Sequence, residues 1–278
     1  MRGVRNVSTS PAEFAHLPLG DHRLAHDCKL NSRSKPLHVK VDAAGYTFHC
    51  HRCGESGGSR AQTMARRVIA PAIPQPHQTL SQFGRELWSA CGPIAGAARA
   101  YLEARGCVIP PADGDLRYHE HLSHPAGYAG AALVALVTDA NSAEPLSLHR
   151  TWIRADGRKA EVEPPRLLLK GHRKAGGVIR LWPDEAVTQG LAIAEGVETA
   201  LAAAHAQAPI WAAIDAGNLA QFPVLAGIGA RTIFADHDDA GLGAGRECGR
   251  RWARAGREVC MVTPNKPKFD INDLTRAA

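Results

Sequence analysis

Apolar and polar positions alternate over Leu37-His-Val-Lys-Val41, the chain turns at Gly45, and a second run covers Tyr46 to His49. That period of two predicts a small β-hairpin element. Residues 81–106 space their apolar side chains as a helix would and stop at Gly106, so a helix is expected there. Leu133–Val137, Leu148–Ile153 and Arg166–Leu169 are short apolar runs that read as strands of a mixed α+β region. From residue 186 the texture changes. Strand-like runs at Leu191–Ala194, Ile210–Ala213, Thr232–Ala235 and Glu258–Val262 alternate with helix-forming runs at Val197–Ala206 and Leu242–Ala255. Alternation of this kind predicts a parallel α/β layer. The expected class is thus α+β / α/β: a tail over 1–20, a small β element over 21–60, a proline-bearing linker over 61–80, a mixed α+β region over 81–185 and a parallel-sheet domain over 186–278.

Composition narrows the choice. The chain has 278 residues and a net charge of +6, a mild basic excess that suits a polyanionic partner without requiring one. Hydrophobic residues make up 45%, which excludes a wholly disordered chain. No apolar run approaches the ~20 residues of a membrane span, and Met1–Gly20 lacks an apolar signal segment, so no membrane partner is expected. Seven cysteines, with only Cys50 and Cys53 closely spaced, point to a reduced, cytoplasmic protein with a metal site, not a disulfide framework. No phosphate-binding Gly-x-x-x-x-Gly-Lys-Ser/Thr loop is present, which excludes a fused ATPase motor. Aromatics are 5%, too few for base stacking to dominate.

Cys50-His-Arg-Cys53-Gly has the spacing of a zinc knuckle. Two thiolates do not close a tetrahedron, so two more ligands must lie upstream. His26-Asp-Cys28 is the candidate pair, with His22 competing for the histidine position. The expected ion is a structural Zn²⁺ on Cys28, Cys50, Cys53 and His26. Cys91, Cys107, Cys248 and Cys260 have no partner spacing and are expected in the core.

Two acidic groups follow strands directly: Glu195 after Leu191–Ala194 and Asp236 after Thr232–Ala235. Residues two apart on extended chain face the same way, so Asp236 and Asp238 can converge. Open parallel sheets bind ligands at the carboxyl ends of their strands, and three carboxylates there suit Mg²⁺ or Mn²⁺. The competing account, helix capping, applies most directly to Asp239.

These residues carry a resemblance. Glu195-Gly196 after a strand, then Asp236-His-Asp238-Asp-Ala-Gly241, resembles the TOPRIM domain of DnaG-type primases, topoisomerases and related nucleases. Ala194–Ala202, Asp215-Ala-Gly-Asn218 and Asp270-Ile-Asn-Asp273-Leu are similar to phage- and plasmid-borne TOPRIM primases in particular. The resemblance implies an N-terminal zinc ribbon, a basic middle and a C-terminal TOPRIM domain. It implies that Glu195, Asp236 and Asp238 hold the catalytic metals, with Asp270 and Asp273 as second contributors. It implies that basic residues of the middle region meet template and nucleotide phosphates, the candidates being Arg150, Lys159, Arg166, Lys170 and Lys174. The sequence departs from the family in one place: DnaG-type primases put a second acid four residues after the Glu, where this chain has Thr199, and its acid falls at Glu198. The implied activity is that of a DNA primase, making short RNA primers on single-stranded DNA from NTPs by two-metal nucleotidyl transfer. Its implied partners are the template, NTPs and a separate replicative helicase or mobile-element replication protein. A TOPRIM metal-dependent nuclease and a non-catalytic nucleic-acid-binding protein of a mobile element are the alternatives.

Overall fold

The computed structural model describes Phe14, residues 16–26, Cys28, and residues 35–60, 76–265 and Ile271. It divides into two compact units, Met1–Ile73 and Pro74–Ala278.

The first unit is a four-stranded antiparallel sheet in sequential order: β1 (Gly20–Leu24), β2 (Leu37–Asp42), β3 (Gly45–Cys50) and β4 (Ser56–Arg60). The predicted hairpin is β2–β3, and a strand is added on each side of it. Alternation gives the sheet one apolar face, on which Leu37, Val39, Tyr46 and Cys50 are buried with Phe14. Phe14 meets Tyr46 edge-on, with ring centroids 5.2 Å apart. β4 has no apolar alternation and is a strand only because it pairs with β3. Gly58 is needed there, since a Cβ would lie 2.6 Å from the Tyr46 carbonyl oxygen, while one at Gly57 would press on the tip of the Phe48 ring at 2.8 Å.

The second unit opens with α1 (Gln82–Ser89) and α2 (Gly96–Ala104). The single helix expected over 81–106 is therefore two. Gly92 leaves the helical path to exchange both backbone hydrogen bonds with Tyr118, each 2.9 Å, and Pro93 has no N–H with which to resume it. A five-stranded antiparallel sheet follows: β5 (Leu116–Ser123), β6 (Ala129–Asp139), β7 (Pro145–Trp152) and β8 (Arg166–Leu168) in order, with β9 (Gly177–Val178) on β6. The parallel sheet comprises β10 (Gly190–Ala194), β11 (Ile210–Ala212), β12 (Ala230–Phe234) and β13 (Glu258–Val262), in the order β11-β10-β12-β13. Its helices are α3 (Val197–Ala203), α4 (Ala216–Gln221) and α5 (Asp239–Arg254).

Strand alternation assigns each face of this sheet. Ala192, Ala194, Ile210, Ala212 and Phe234 point to one side, where α3 and the β6 residues Leu133, Ala135 and Val137 complete a single core. Leu191, Ile193, Trp211 and Ile233 point to the other, against Leu219, Ala244, Cys248 and Trp252 of α4 and α5. Residues 81–185 and 186–278 thus share one core. Cys91, Cys107 and Cys248 are buried as expected, but Cys260 on β13 is exposed.

Candidate functional site

In the order β11-β10-β12-β13 the chain leaves β10 toward one edge and later returns to pair β12 on its other side. The gap between β10 and β12 is therefore the topological switch point, where the loops diverge and leave a crevice. Ala194 pairs with Phe234 in register, so Glu195, one residue past β10, and Asp236, two residues past β12, both follow the carboxyl ends of these neighbouring strands. The loop after β12 is tightly built. Asp238 caps α5, its Oδ1 accepting from the Gly241 amide at 2.7 Å, so the cap falls on Asp238 and not on Asp239. A Cβ at Gly241 would lie 2.7 Å from the Asp236 carbonyl oxygen, which makes glycine a requirement there. His237 is fixed from behind through Nδ1 and the Pro264 carbonyl, 2.7 Å apart.

The acids feel one another. The Glu195 carboxyl is raised above the usual carboxylate range, first by burial and then by the negative charges of Asp238 and Asp215. The donors are all oxygen, the type that Mg²⁺ or Mn²⁺ takes, and a divalent cation relieves repulsion of this kind, but the structure does not draw Glu195, Asp236 and Asp238 into a metal-sized cluster as it does the cysteines. Asp215 was not among the candidates. It comes three residues after β11, past Ala213 and Ile214, and opens the Asp215-Ala-Gly-Asn218 stretch, which is the signal the sequence offers. It caps α4 and lies 2.7 Å from Lys174 Nζ. Ile214 before it has φ of +78°, which is rare for a β-branched residue and is the backbone strain typical of functional sites. Asp270 and Asp273 lie outside the described residues.

Of the basic candidates, Lys170 is exposed, and Lys174 is exposed and paired to Asp215. Arg166 stands at the rim with Nη2 2.9 Å from Glu198 Oε1. Lys159 is half-buried. Arg150 is turned inward: it is buried and donates to the Leu168 carbonyl at 3.1 Å, with its guanidinium over the Trp152 ring. Glu198, left without a role by sequence, is buried beneath Arg166 and accepts a hydrogen bond from the Tyr101 hydroxyl at 2.9 Å.

In the first unit the ligand atoms of His26, Cys28, Cys50 and Cys53 all lie within 4.8 Å of one another. Cys28 and Cys50 sulfurs are 3.8 Å apart, and Cys53 Sγ is 3.6 Å from His26 Nδ1. On a tetrahedral zinc with bonds of ~2.3 Å to sulfur and ~2.0 Å to nitrogen, those separations would be about 3.8 and 3.5 Å. The cluster therefore has the size of a Cys₃His zinc site. The other ring nitrogen of His26 is 3.4 Å from Glu55 Oε2, the carboxylate backing that zinc-bound histidines usually have. His22 is engaged elsewhere, with Nε2 2.8 Å from the Pro18 carbonyl. Burial alone would raise the Cys50 thiol, but the Cys53 and Arg52 amides, with Cys53 and His26, bring it down to about 6.

Residues 190–278 match the Toprim domain, and residues 78–181 match a domain of unknown function (DUF7146). The C-terminal part of the chain is a Toprim domain, and it contains Glu195, Asp215, Asp236 and Asp238. No curated protein matches the chain. Among solved structures, the chain is similar to the zinc-binding and RNA polymerase domains of the Aquifex aeolicus primase, at 13% identity and TM-score 0.44, over 90% of this chain and 78% of that one. It is also similar to the primase fragment of the bacteriophage T7 primase-helicase protein, at 14% identity and TM-score 0.38, over 88% and 91%. A DNA primase domain from Pseudomonas aeruginosa matches at 12% identity and TM-score 0.37, over 66% of this chain and 56% of that one. Among the described residues no helix is long and apolar enough to cross a membrane.

Proposed function

We propose that this protein is a DNA primase that joins NTPs into short RNA primers on single-stranded DNA. The observation that carries the proposal is the placement of Glu195, Asp236 and Asp238 at the carboxyl ends of two neighbouring parallel strands within a Toprim domain. In this reading the three carboxylates hold Mg²⁺ or Mn²⁺, with Asp270 and Asp273 as further contributors. A divalent ion held by these carboxylates would supply acidity to an attacking 3′-hydroxyl and charge neutralisation for a leaving pyrophosphate. The chain's own task is placement: Asp238 is locked by its cap, Asp236 by the close approach of Gly241, and Glu195 by the end of β10. Arg166, Lys159, Lys170 and Lys174 supply positive charge for template and nucleotide phosphates, while the inward turn of Arg150 reserves it for the fold. Zn²⁺ on His26, Cys28, Cys50 and Cys53 holds the N-terminal ribbon together, and the ribbon influences where synthesis starts. A replicative helicase is the expected partner in replication.

The test is incubation with single-stranded DNA, Mg²⁺ and labelled NTPs. Wild type should yield short RNA, and Asp236→Asn or Glu195→Gln should cut the yield by on the order of a thousandfold, since several kcal/mol of charge stabilisation go with the metal. Thermal stability should change little. Cleaved DNA with no RNA product would favour the nuclease, and near wild-type synthesis by either variant would remove these acids from the site.

A further inference from the structure

Glu198 sits three residues past Glu195, in the first turn of α3, and is 4% exposed. An acid in a helix's first turn is usually explained by the helix dipole, but that explains a solvated acid, not a buried one. A buried carboxylate survives only with close partners. Glu198 has them: the Arg166 guanidinium and the Tyr101 hydroxyl both reach Oε1 at 2.9 Å. Lys159 also acts on it electrostatically. His149 faces the same cluster, yet burial holds it down to about 4, so it is neutral near pH 7. Arg166 in direct contact and Lys159 through its field thus act on one buried anion, and positive charge is in surplus around it.

That surplus has a direction. Arg166 is 40% exposed while its partner is nearly sealed, so the guanidinium is gripped from below and open above. It also acts on Glu195, opposing the rise caused there by Asp238 and Asp215. Arg166 comes from β8 of the antiparallel sheet and Glu198 from the first turn of α3, so the pair pins a cation of one sheet to the helix that begins just past Glu195.

We infer that Glu198 is a positioning residue: with Tyr101 it fixes Arg166 beside Glu195, where the guanidinium meets the phosphates of an incoming nucleoside triphosphate. The choice of ligand rests on the primase reading. The division of labour differs from that of a metal ligand, because Glu198 spends its charge on Arg166.

The experiment uses the full chain, with binding of trinitrophenyl-ATP plus Mg²⁺ measured by fluorescence in the absence of template, and primer synthesis measured separately. Glu198→Gln keeps the shape and an acceptor for Tyr101 but removes the charge that grips Arg166. Glu198→Gln and Arg166→Met should each weaken nucleotide binding about tenfold, the size of one charge-assisted hydrogen bond. The double variant should be little worse than either, because the two act through one group. Additive losses, or unchanged nucleotide affinity in a folded Glu198→Gln protein, would overturn the inference. If Glu198→Gln does not fold, Arg166→Met decides: unchanged nucleotide affinity overturns the inference, and tenfold loss supports it. The two readings fail separately. Wild type that makes no RNA but shows these binding losses ends the primase assignment alone, whereas RNA synthesis with unshifted binding ends only the role of Glu198.

Discussion

The two units solve the same problem by different means. Among the described residues the N-terminal sheet fully buries only Phe14, Leu37, Val39, Tyr46 and Cys50 on one face, a small apolar core. It gathers three cysteines and a histidine at one end instead. The C-terminal unit needs no such clip, because its parallel sheet is covered on both faces by apolar side chains. The difference teaches where each unit is vulnerable: one to loss of an ion, the other to loss of packing.

Zinc removal should have the largest effect. Structural zinc contributes roughly 10–16 kcal/mol to folding in small zinc domains. Elemental analysis should find one zinc per chain. Chelation or Cys50→Ser should abolish hydrogen-exchange protection across 37–50 and leave that of 190–262 intact. Protection that survives in both units would erase the contrast.

Packing is the converse. Leu201→Ala removes a fully buried side chain of α3 and should cost about 2–5 kcal/mol. Denaturant unfolding of the C-terminal unit should shift accordingly, with zinc content unchanged.

Within the larger unit acid gives a smaller, graded effect. Burial of Glu198 disfavours its charge, but Arg166, Lys159 and Tyr101 outweigh it and bring the carboxyl down to about 2. A lowered acid stabilises the fold above its unfolded pKa, near 4.5, and that contribution is lost as pH falls toward 2. Asp115 runs the other way. Burial raises it to about 6, so its contribution is full below 3.8 and is lost as pH rises through 6. Stability measured by urea titration should therefore fall from pH 4.5 to 2 in wild type and fall less steeply in Glu198→Gln.

Salt provides the finest probe. Removing one phosphate contact lowers the slope of log affinity against log salt by about 0.7 for a single strand. Lys170→Ala should do this whatever the base sequence, whereas Arg150→Met should leave the slope alone and reduce stability.

Much of this was legible in the sequence, for physical reasons. β10 and β12 are short apolar runs each ending in an acid, so Glu195 and Asp236 announced their place at strand ends. The helix carrying Ala244, Cys248 and Trp252 on one side buries those residues, as its period required. Cys50 and Cys53 fixed half of the metal cluster by spacing alone. What escaped was structure made by partners distant in sequence. β5, Leu-Arg-Tyr-His-Glu-His-Leu-Ser, is half solvated and reads as loop until β6 is beside it. Gly92 and Pro93 could have broken the helix in advance, since both residue types mark breaks. Glu198 could not have been read locally: its role comes from Tyr101 and Arg166, 97 residues before it in one case. Arg150 likewise looked like any other basic residue until its strand placed it inward.

The core shared by β6 and the parallel sheet has a consequence for synthesis of the chain. Leu133, Ala135 and Val137 pack against Ala192, Ala194, Ile210 and Phe234. At ~5–20 residues per second, the ribosome reaches Phe234 on the order of 5–20 s after Val137. For that interval the inner face of the antiparallel sheet is covered only in part, by Ala98, Tyr101 and Leu102 of α2, and contacts so distant in sequence form slowly even afterwards. The rest of that face stays open to wrong contacts until the end of β12 emerges.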